Sequence, residues 1–277
     1  MTYKTLLVHI DDSARSSARI DLALDLARRW DAHLIGLYIV CQDLFEPLRR
    51  PDEPLKLAVH ERLCEERRRE AETAFLEAAE LAGRSVEWRA PAGPATDAAI
   101  LHARHADLLI LGQCAPHDRS TFVARHFVED LLMAGGRPAI VVPYAGQFHS
   151  CGDNVLVAWD GGREAARALA DALPLLRRAR FVTVETVEHR RPDPDQTPAG
   201  VDVAAYLERH GVRASFSTTP HAATTGVGVT LLNRASDLHA DLLVMGAYSH
   251  TRVHERVLGG ATRTLLETMT VPVLMSH

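Results

Sequence analysis

Short, fully apolar runs alternate along this chain with longer stretches whose apolar residues recur every three or four positions. Thr5-Leu6-Leu7-Val8-His9-Ile10 has no polar alternation, as expected of a strand buried on both faces. Asp11-Asp12-Ser13 then supplies side-chain oxygens for a helix start, and Ser16 to Arg29 carries Ile20, Leu22, Ala23, Leu24, Leu26 and Ala27 at helical spacing. A second apolar run covers Ala32 to Val40. Strand, helix, strand in this order predicts a parallel sheet with right-handed crossovers. Pro47, Pro51 and Pro54 mark a loop, and Leu55 to Ala82 reads as a long charge-laced helix closed by Gly83. Ser85 to Ala90 is predicted as a third strand, Ala95-Thr96-Asp97 as the cap of a helix through His105, and Leu108 to Leu111 as a fourth strand. A helix around Phe122–Met133 and a fifth strand ending at Pro143 complete the series, and Tyr144 to Asp153 reads as a linker.

The same order then returns. Strands are predicted at Asn154–Trp159, Phe181–Val187, Val212–Thr218, Leu242–Met245 and Val271–Met275. Helices are predicted at Ala165–Leu176, bent or interrupted near Pro174, at Val201–His210, from Thr225-Gly226-Val227-Gly228 to His239, and from Gly259-Gly260-Ala261-Thr262 to about Met269. Ala247 to Leu258 reads as a loop with a short helix.

One stretch makes the duplication explicit. His105-Ala106-Asp107-Leu108-Leu109-Ile110-Leu111-Gly112 recurs as His239-Ala240-Asp241-Leu242-Leu243-Val244-Met245-Gly246, identical at six of eight positions. So long a period means a duplicated domain, since solenoid units repeat at about 20–50 residues. The offset between copies is 149 at the first strand (Asp11 to Asp160) and 134 at the fourth (Gly112 to Gly246). The first copy is therefore 149 − 134 = 15 residues longer in between, which matches its long loop and charged helix. The predicted domains are 1–144 and 154–277.

Composition narrows the function. The 277 residues are 47% hydrophobic and 24% charged, as in a globular protein. A net charge of −5 gives no basic face for nucleic acid, and the Arg67-Arg68-Arg69 run has glutamates beside it, as on a solvated helix face. No apolar run approaches the roughly 20 residues that span a bilayer, and no signal-peptide layout is visible. Cys41, Cys64, Cys114 and Cys151 are scattered without a CxxC pair, which suits free thiols in a reducing cytoplasm.

In open parallel sheets, ligands sit at the carboxyl ends of strands where the winding reverses. Gly246-Ala247-Tyr248-Ser249 falls at such an end, and Gly259-Gly260-Ala261-Thr262 opens the following helix. Consecutive glycines at a helix start let backbone amides approach an anion, or they simply make a tight turn. Asp160 ends the neighbouring strand, where a carboxylate can accept from a ribose hydroxyl or an adenine amino group. Competing motifs are absent or incomplete. There is no Walker A sequence and no GxSxG elbow, and Gly226-Val227-Gly228-Val229-Thr230-Leu231 lacks the last glycine of GxGxxG. His250 and His254 lack the glutamate of HExxH, and Cys114-x-x-His117 stands alone, so no metal site is expected. No nucleophile–base pair is visible, so efficient catalysis is not expected.

These residues resemble the universal stress proteins: an Asp-ending first strand, Gly-x-x-Gly, nine residues, then Gly-Ser/Thr before a Val-Pro-Val strand. Val244-Met245-Gly246, Leu258-Gly259-Gly260-Ala261-Thr262 and Val271-Pro272-Val273-Leu274 carry the likeness, which covers both halves. It implies an α/β fold of two tandem doubly wound, Rossmann-like domains, each a five-stranded parallel sheet of order 3-2-1-4-5. The fifth strands, Ile140–Val142 and Val273–Met275, would pair as an intramolecular pseudo-dimer, and a homodimer remains open. It also implies ATP in the second domain, with Asp160 and Thr186 near the base or ribose and Met245 and Gly246 beside the ribose. Tyr248, Ser249, Gly259, Gly260, Ala261 and Thr262 would surround the phosphates. Ser249 replaces the family's second glycine, which costs roughly 1–2 kcal/mol if φ must be positive. Gly260 replaces its Ser or Thr. In the first half Gly112-Gln113-Cys114-Ala115 lacks the second glycine, and Arg125 stands where the next glycine belongs, although Asp11 is retained.

The expectation is a cytoplasmic stress-response protein that binds or senses a nucleotide in its second half, with no nucleic-acid or membrane partner and an unknown protein partner. A scaffold or chaperone-like protein with both sites vestigial is one alternative. A slow ATPase or small-molecule hydrolase is another.

Overall fold

The computed structural model describes residues 2–40, 54–115, 126–148, 151–188, 201–220, 225–248 and 260–277. The chain divides into two compact units, Tyr3–Arg137 and Pro138–His277, the latter joined by the first two residues.

The first unit contains β1 (Thr5–Ile10), α1 (Ser16–Trp30), β2 (His33–Tyr38), α2 (Pro54–Leu81), β3 (Val86–Arg89), α3 (Ala95–Ala103), β4 (Leu108–Gly112) and α4 (Phe127–Ala134). Its strands lie in the order β3-β2-β1-β4, and all pair in parallel. Leu6, Leu7 and Val8 of β1 are wholly buried, which explains the unbroken apolar run: both faces of this strand are covered. Each such side chain contributes on the order of 1.5–3 kcal/mol through burial. Helix α1 ends where Asp31 takes a left-handed conformation at φ 49°. Helix α2 is held by Phe75 and Ala79, both buried, while Arg62–Glu66, Arg68–Glu65, Arg69–Glu65 and Arg68–Glu72 pairs lace its surface. Within the arginine run, Arg68 and Arg69 are thus paired inside their own helix, while Arg67 reaches Asp12 beyond β1 at 3.7 Å. Arg49, Arg50, Arg190 and Arg191 lie outside the described residues. So does the predicted helix start at Phe122; the helix described there runs from Phe127.

The second unit contains β5 (Ala139–Val142), β6 (Asn154–Ala158), α5 (Arg163–Leu176), β7 (Phe181–Glu188), α6 (Val201–Arg209), β8 (Ser215–Pro220), α7 (Val227–Asp237), β9 (Leu242–Gly246), α8 (Gly260–Thr268) and β10 (Val273–Ser276). Strands β8-β7-β6-β9-β10 are parallel neighbours and reproduce the order 3-2-1-4-5. On the far side of β10 lies β5, antiparallel, with Val141 opposite Val273, Ile140 opposite Leu274 and Ala139 opposite Met275. The two fifth strands therefore pair as expected, and both are completely buried.

Several element ends differ from the sequence reading by a few residues, and two of these differences have clear local reasons. Helix α5 is not interrupted at Pro174 but continues to Leu176, with Arg177 N–H bonded to Leu173 O at 3.0 Å. Proline this close to the helix end removes one amide and leaves the remaining turn intact. Strand β8 begins at Ser215 and not at Val212, because the Val212 amide closes α6 by bonding Leu207 O at 2.9 Å. Gly211 makes that closure feasible with φ +74°.

The repeated His-Ala-Asp stretch has a structural task. Asp107 accepts from the amides of Lys4 (2.7 Å) and Thr5 (2.9 Å). Asp241 accepts from those of Gly152, Asp153 and Asn154 at 3.0, 3.1 and 2.9 Å. Each carboxylate ties the start of the fourth strand to the start of the first, at the amino ends of the strands. Ligand chemistry in such sheets belongs at the opposite ends.

Candidate functional site

At the carboxyl ends of β6 and β9, the second unit assembles several predicted residues. Gly246 ends β9 where only glycine fits. A β-carbon there would lie 2.5 Å from the Glu164 carbonyl carbon and 2.6 Å from the Ala165 nitrogen, in the first turn of α5. Beyond it, Ala247 N–H bonds Ser276 O at 2.8 Å. Tyr248 then turns into the left-handed region at φ +62°, and its amide donates to Thr262 Oγ1 at 3.2 Å. Thr262 is buried within the first turn of α8, which carries no acidic residue. Gly260 opens that helix, and a β-carbon on it would meet no described residue within 4 Å. Ala261 sits between them, its carbonyl 3.0 Å from where a β-carbon of Gly228 would be. The Gly226-Val227-Gly228 segment is thereby explained: Gly228 lets α7 approach α8 closely.

Asp160 follows β6 and is exposed, its Oδ1 accepting from Gly162 N at 2.8 Å. Gly161 makes this turn with φ +75°. Thr186 lies in β7, half-buried, opposite Thr218. The Met245 side chain is buried in the sheet, opposite Met275, so it offers a ligand only its backbone. Ser249 and Gly259 lie outside the described residues, as do His117, His250 and His254. Among the described residues, no three His, Cys, Asp or Glu side chains come together as a metal site would require. Among the described residues Cys64, Cys114 and Cys151 form no disulfide, and no described helix is long and apolar enough to cross a membrane.

Three neighbours escaped the sequence reading. His277 Nδ1 donates to Ala247 O at 3.1 Å, and Ser276 is buried at the end of β10 beside Gly246. Glu164 is buried in the first turn of α5 and pairs with Arg163 at 2.5 Å. Burial pushes the Glu164 carboxyl up, but the Arg163 hydrogen bond and charge, with His277, hold it below its ordinary value. A strand predicted to stop at Met275 hides the last two residues. Glu164 reads as an ordinary acidic first-turn residue.

The corresponding ends of β1 and β4 are built differently. Asp11 and Arg19 form an ion pair at 2.5 Å, with both side chains almost wholly buried. Asp11 Oδ1 also accepts from Ser13 Oγ (2.5 Å) and Ser13 N (3.1 Å), and Arg19 Nε donates to His9 O at 3.1 Å. The guanidinium lies against Gly112, where a β-carbon would collide with it. His9 is buried, donates from Nε2 to Ile39 O at 2.9 Å, and packs 4.8 Å from the Phe127 ring. Burial pushes the imidazole down to about 4 despite the attraction of Asp11. Burial would raise the Asp11 carboxyl, but Arg19, His9 and Ser13 outweigh it and hold it at about 2. The signal for Arg19 was legible in the sequence. It stands in the apolar stripe of α1, one turn before Leu22 and Ala23 and two turns before Leu26.

A separate depression of about 460 Å³ lies at the amino ends of β9 and β10, lined by Phe148, Ser236, His239, Asp241, Val271 and Pro272 among others. The Asp241 carboxylate there is already engaged by three amides.

Comparison with known proteins agrees with this architecture. The family model described as the universal stress protein family matches residues 2–132 and 152–277. A universal stress protein from Archaeoglobus fulgidus DSM 4304 is similar along 98% of this chain and 97% of its own, at 17% identity and a TM-score of 0.73. A functionally unknown protein from Pseudomonas aeruginosa PAO1 covers 99% of this chain and 92% of its own, at 17% identity and a TM-score of 0.60. No curated protein matches significantly. At such identities the structures speak for the fold alone, while the family model spans both repeats, and on that ground the chain belongs to the universal stress protein family.

Proposed function

We propose that the second half holds a nucleotide, ATP, at the carboxyl end of β9, and that the chain works in the cytoplasm as a nucleotide-responsive stress protein without efficient catalysis. The observation that carries this is the Gly246–Tyr248 turn, anchored through the Tyr248 amide to Thr262 in the first turn of α8. A helix start without acidic side chains favours an anion, through its free amides and its dipole, by about 0.3–1 kcal/mol at an exposed site. In this reading Gly260, Ala261 and Thr262 face the phosphates together with Tyr248, Ser249 and Gly259. Gly246 and the Met245 backbone lie beside the ribose. Asp160 and Thr186 serve the ribose or the base.

Gly260→Asp tests the reading, because its added β-carbon meets no described residue and its carboxylate stands at the helix start. Equilibrium binding of labelled ATP should be measurable for the wild type and at least tenfold weaker for Gly260→Asp, with both melting alike. Equal, negligible binding by both proteins would sink the nucleotide reading and leave the scaffold alternative. Mass spectrometry of the purified protein for retained nucleotide gives a second, independent readout.

A further inference from the structure

We infer that the crevice between the carboxyl ends of β1 and β4 is a guanidinium site filled from within by Arg19, so that the first half encloses a cation of its own and has no place for an anionic ligand.

Three features of the crevice match a planar cation. The Asp11 carboxylate accepts from Nη2 and the His9 carbonyl from Nε, two acceptors that one fork satisfies together. The space exists because residue 112 lacks a β-carbon. Asp11 and Arg19 are both almost wholly buried, so little solvent competes for either. His9 adds a condition: burial keeps its imidazole neutral, so no second cation stands beside the guanidinium at neutral pH. The repeat shows the contrast. With the 149-residue offset, Asp11 corresponds to Asp160 and Arg19 to Ala168. Asp160 is exposed and accepts from a backbone amide, where Asp11 is sealed beneath a guanidinium. The same strand end is thus neutralised internally in one half and left to solvent in the other.

This inference does not depend on nucleotide binding by the second half, and its test is chosen accordingly. Arg19→Ala removes the outer two methylenes and the guanidinium, and ethylguanidinium is that missing piece. The full-length variant should melt roughly 6–20 °C below the wild type, as expected when a buried pair loses one partner in a protein of this size. Ethylguanidinium at about ten times its dissociation constant should recover roughly 3–6 °C in the variant and nothing in the wild type. Ethylammonium and sodium chloride at equal ionic strength should recover far less. Equal rescue by ethylammonium, or a variant that melts with the wild type, would overturn the assignment. If Arg19→Ala does not fold, Arg19→Lys decides: it keeps the charge and loses the fork, so melting with the wild type refutes a guanidinium site and a fall of several degrees sustains it. The wild type should bind at most one ATP molecule, and binding of two would also overturn the inference. Absence of ATP binding in the wild type would count against the second-half reading alone.

Discussion

Acidification should weaken this protein well above the range where carboxylates titrate, and His9 should be the largest single cause. In the folded chain burial holds the imidazole at about 4, against 6.5 in its ordinary state. Between these values the unfolded chain takes up a proton that the folded chain refuses, so stability falls as pH drops from 6.5 toward 4. Each pH unit in that window costs about 1.4 kcal/mol, which gives about 2 kcal/mol between pH 7.5 and pH 5. That is a sizeable share of the roughly 5–15 kcal/mol that holds an ordinary domain together. Asp11 acts lower down. Its carboxyl is held at about 2, against 3.8 unfolded, so its contribution is present above 3.8 and is lost as pH falls toward 2. Urea unfolding at pH 7.5 and pH 5 would measure the difference for the wild type and for His9→Gln. Glutamine can still donate to Ile39 O but does not titrate. The wild type should lose about 2 kcal/mol more than the variant over this interval. Equal losses in the two proteins would refute the argument, whatever their absolute stabilities, because other histidines contribute equally to both.

Two further substitutions test the framework. Asp241→Ala frees three amides and Asp107→Ala two; with hydrogen bonds to charged groups contributing about 1.5–3 kcal/mol when buried, and less at these partly exposed positions, we expect losses of roughly 2–4 and 1–3 kcal/mol. Urea unfolding of both variants checks this, and a cost below about 0.5 kcal/mol in each would show that the clamp is incidental. Gly246→Ala should cost about 1–3 kcal/mol or more because its β-carbon meets helix backbone, whereas Gly260→Ala, with no described residue in its way, should be neutral or slightly stabilising. Thermal melts of the pair read this contrast directly, and equal behaviour would refute it.

Much of the fold was legible because burial imposes a simple pattern. A strand covered on both faces must be apolar throughout, so β1, β4, β5, β9 and β10 announce themselves. Element ends were less legible, since they depend on hydrogen bonds to specific distant or neighbouring atoms. Val212 is apolar and β-branched, yet its amide is taken by Leu207 O, and the strand starts three residues later. Proline at 174 weakens a helix in general but costs little in its last turn. At the site, the glycines could be read as ligand-facing or as packing devices, and the structure gives some of each. Gly246 and Gly228 are fixed by close approach of neighbouring helices, while Gly260 has no described residue against it. Arg19 was visible as a charge in an apolar stripe. What periodicity could not supply was its partner, because Asp11 meets it only after the helix folds back over β1.

The unlike residues at positions 19 and 168 also bear on how such a chain can change over generations. An assembly of two identical copies of one half has a single gene for both strand ends, so any substitution there appears twice. Joining the halves in one reading frame gives each strand end its own codon. An arginine can then be selected for stability in the first half while the second stays free to serve a ligand, and neither role constrains the other.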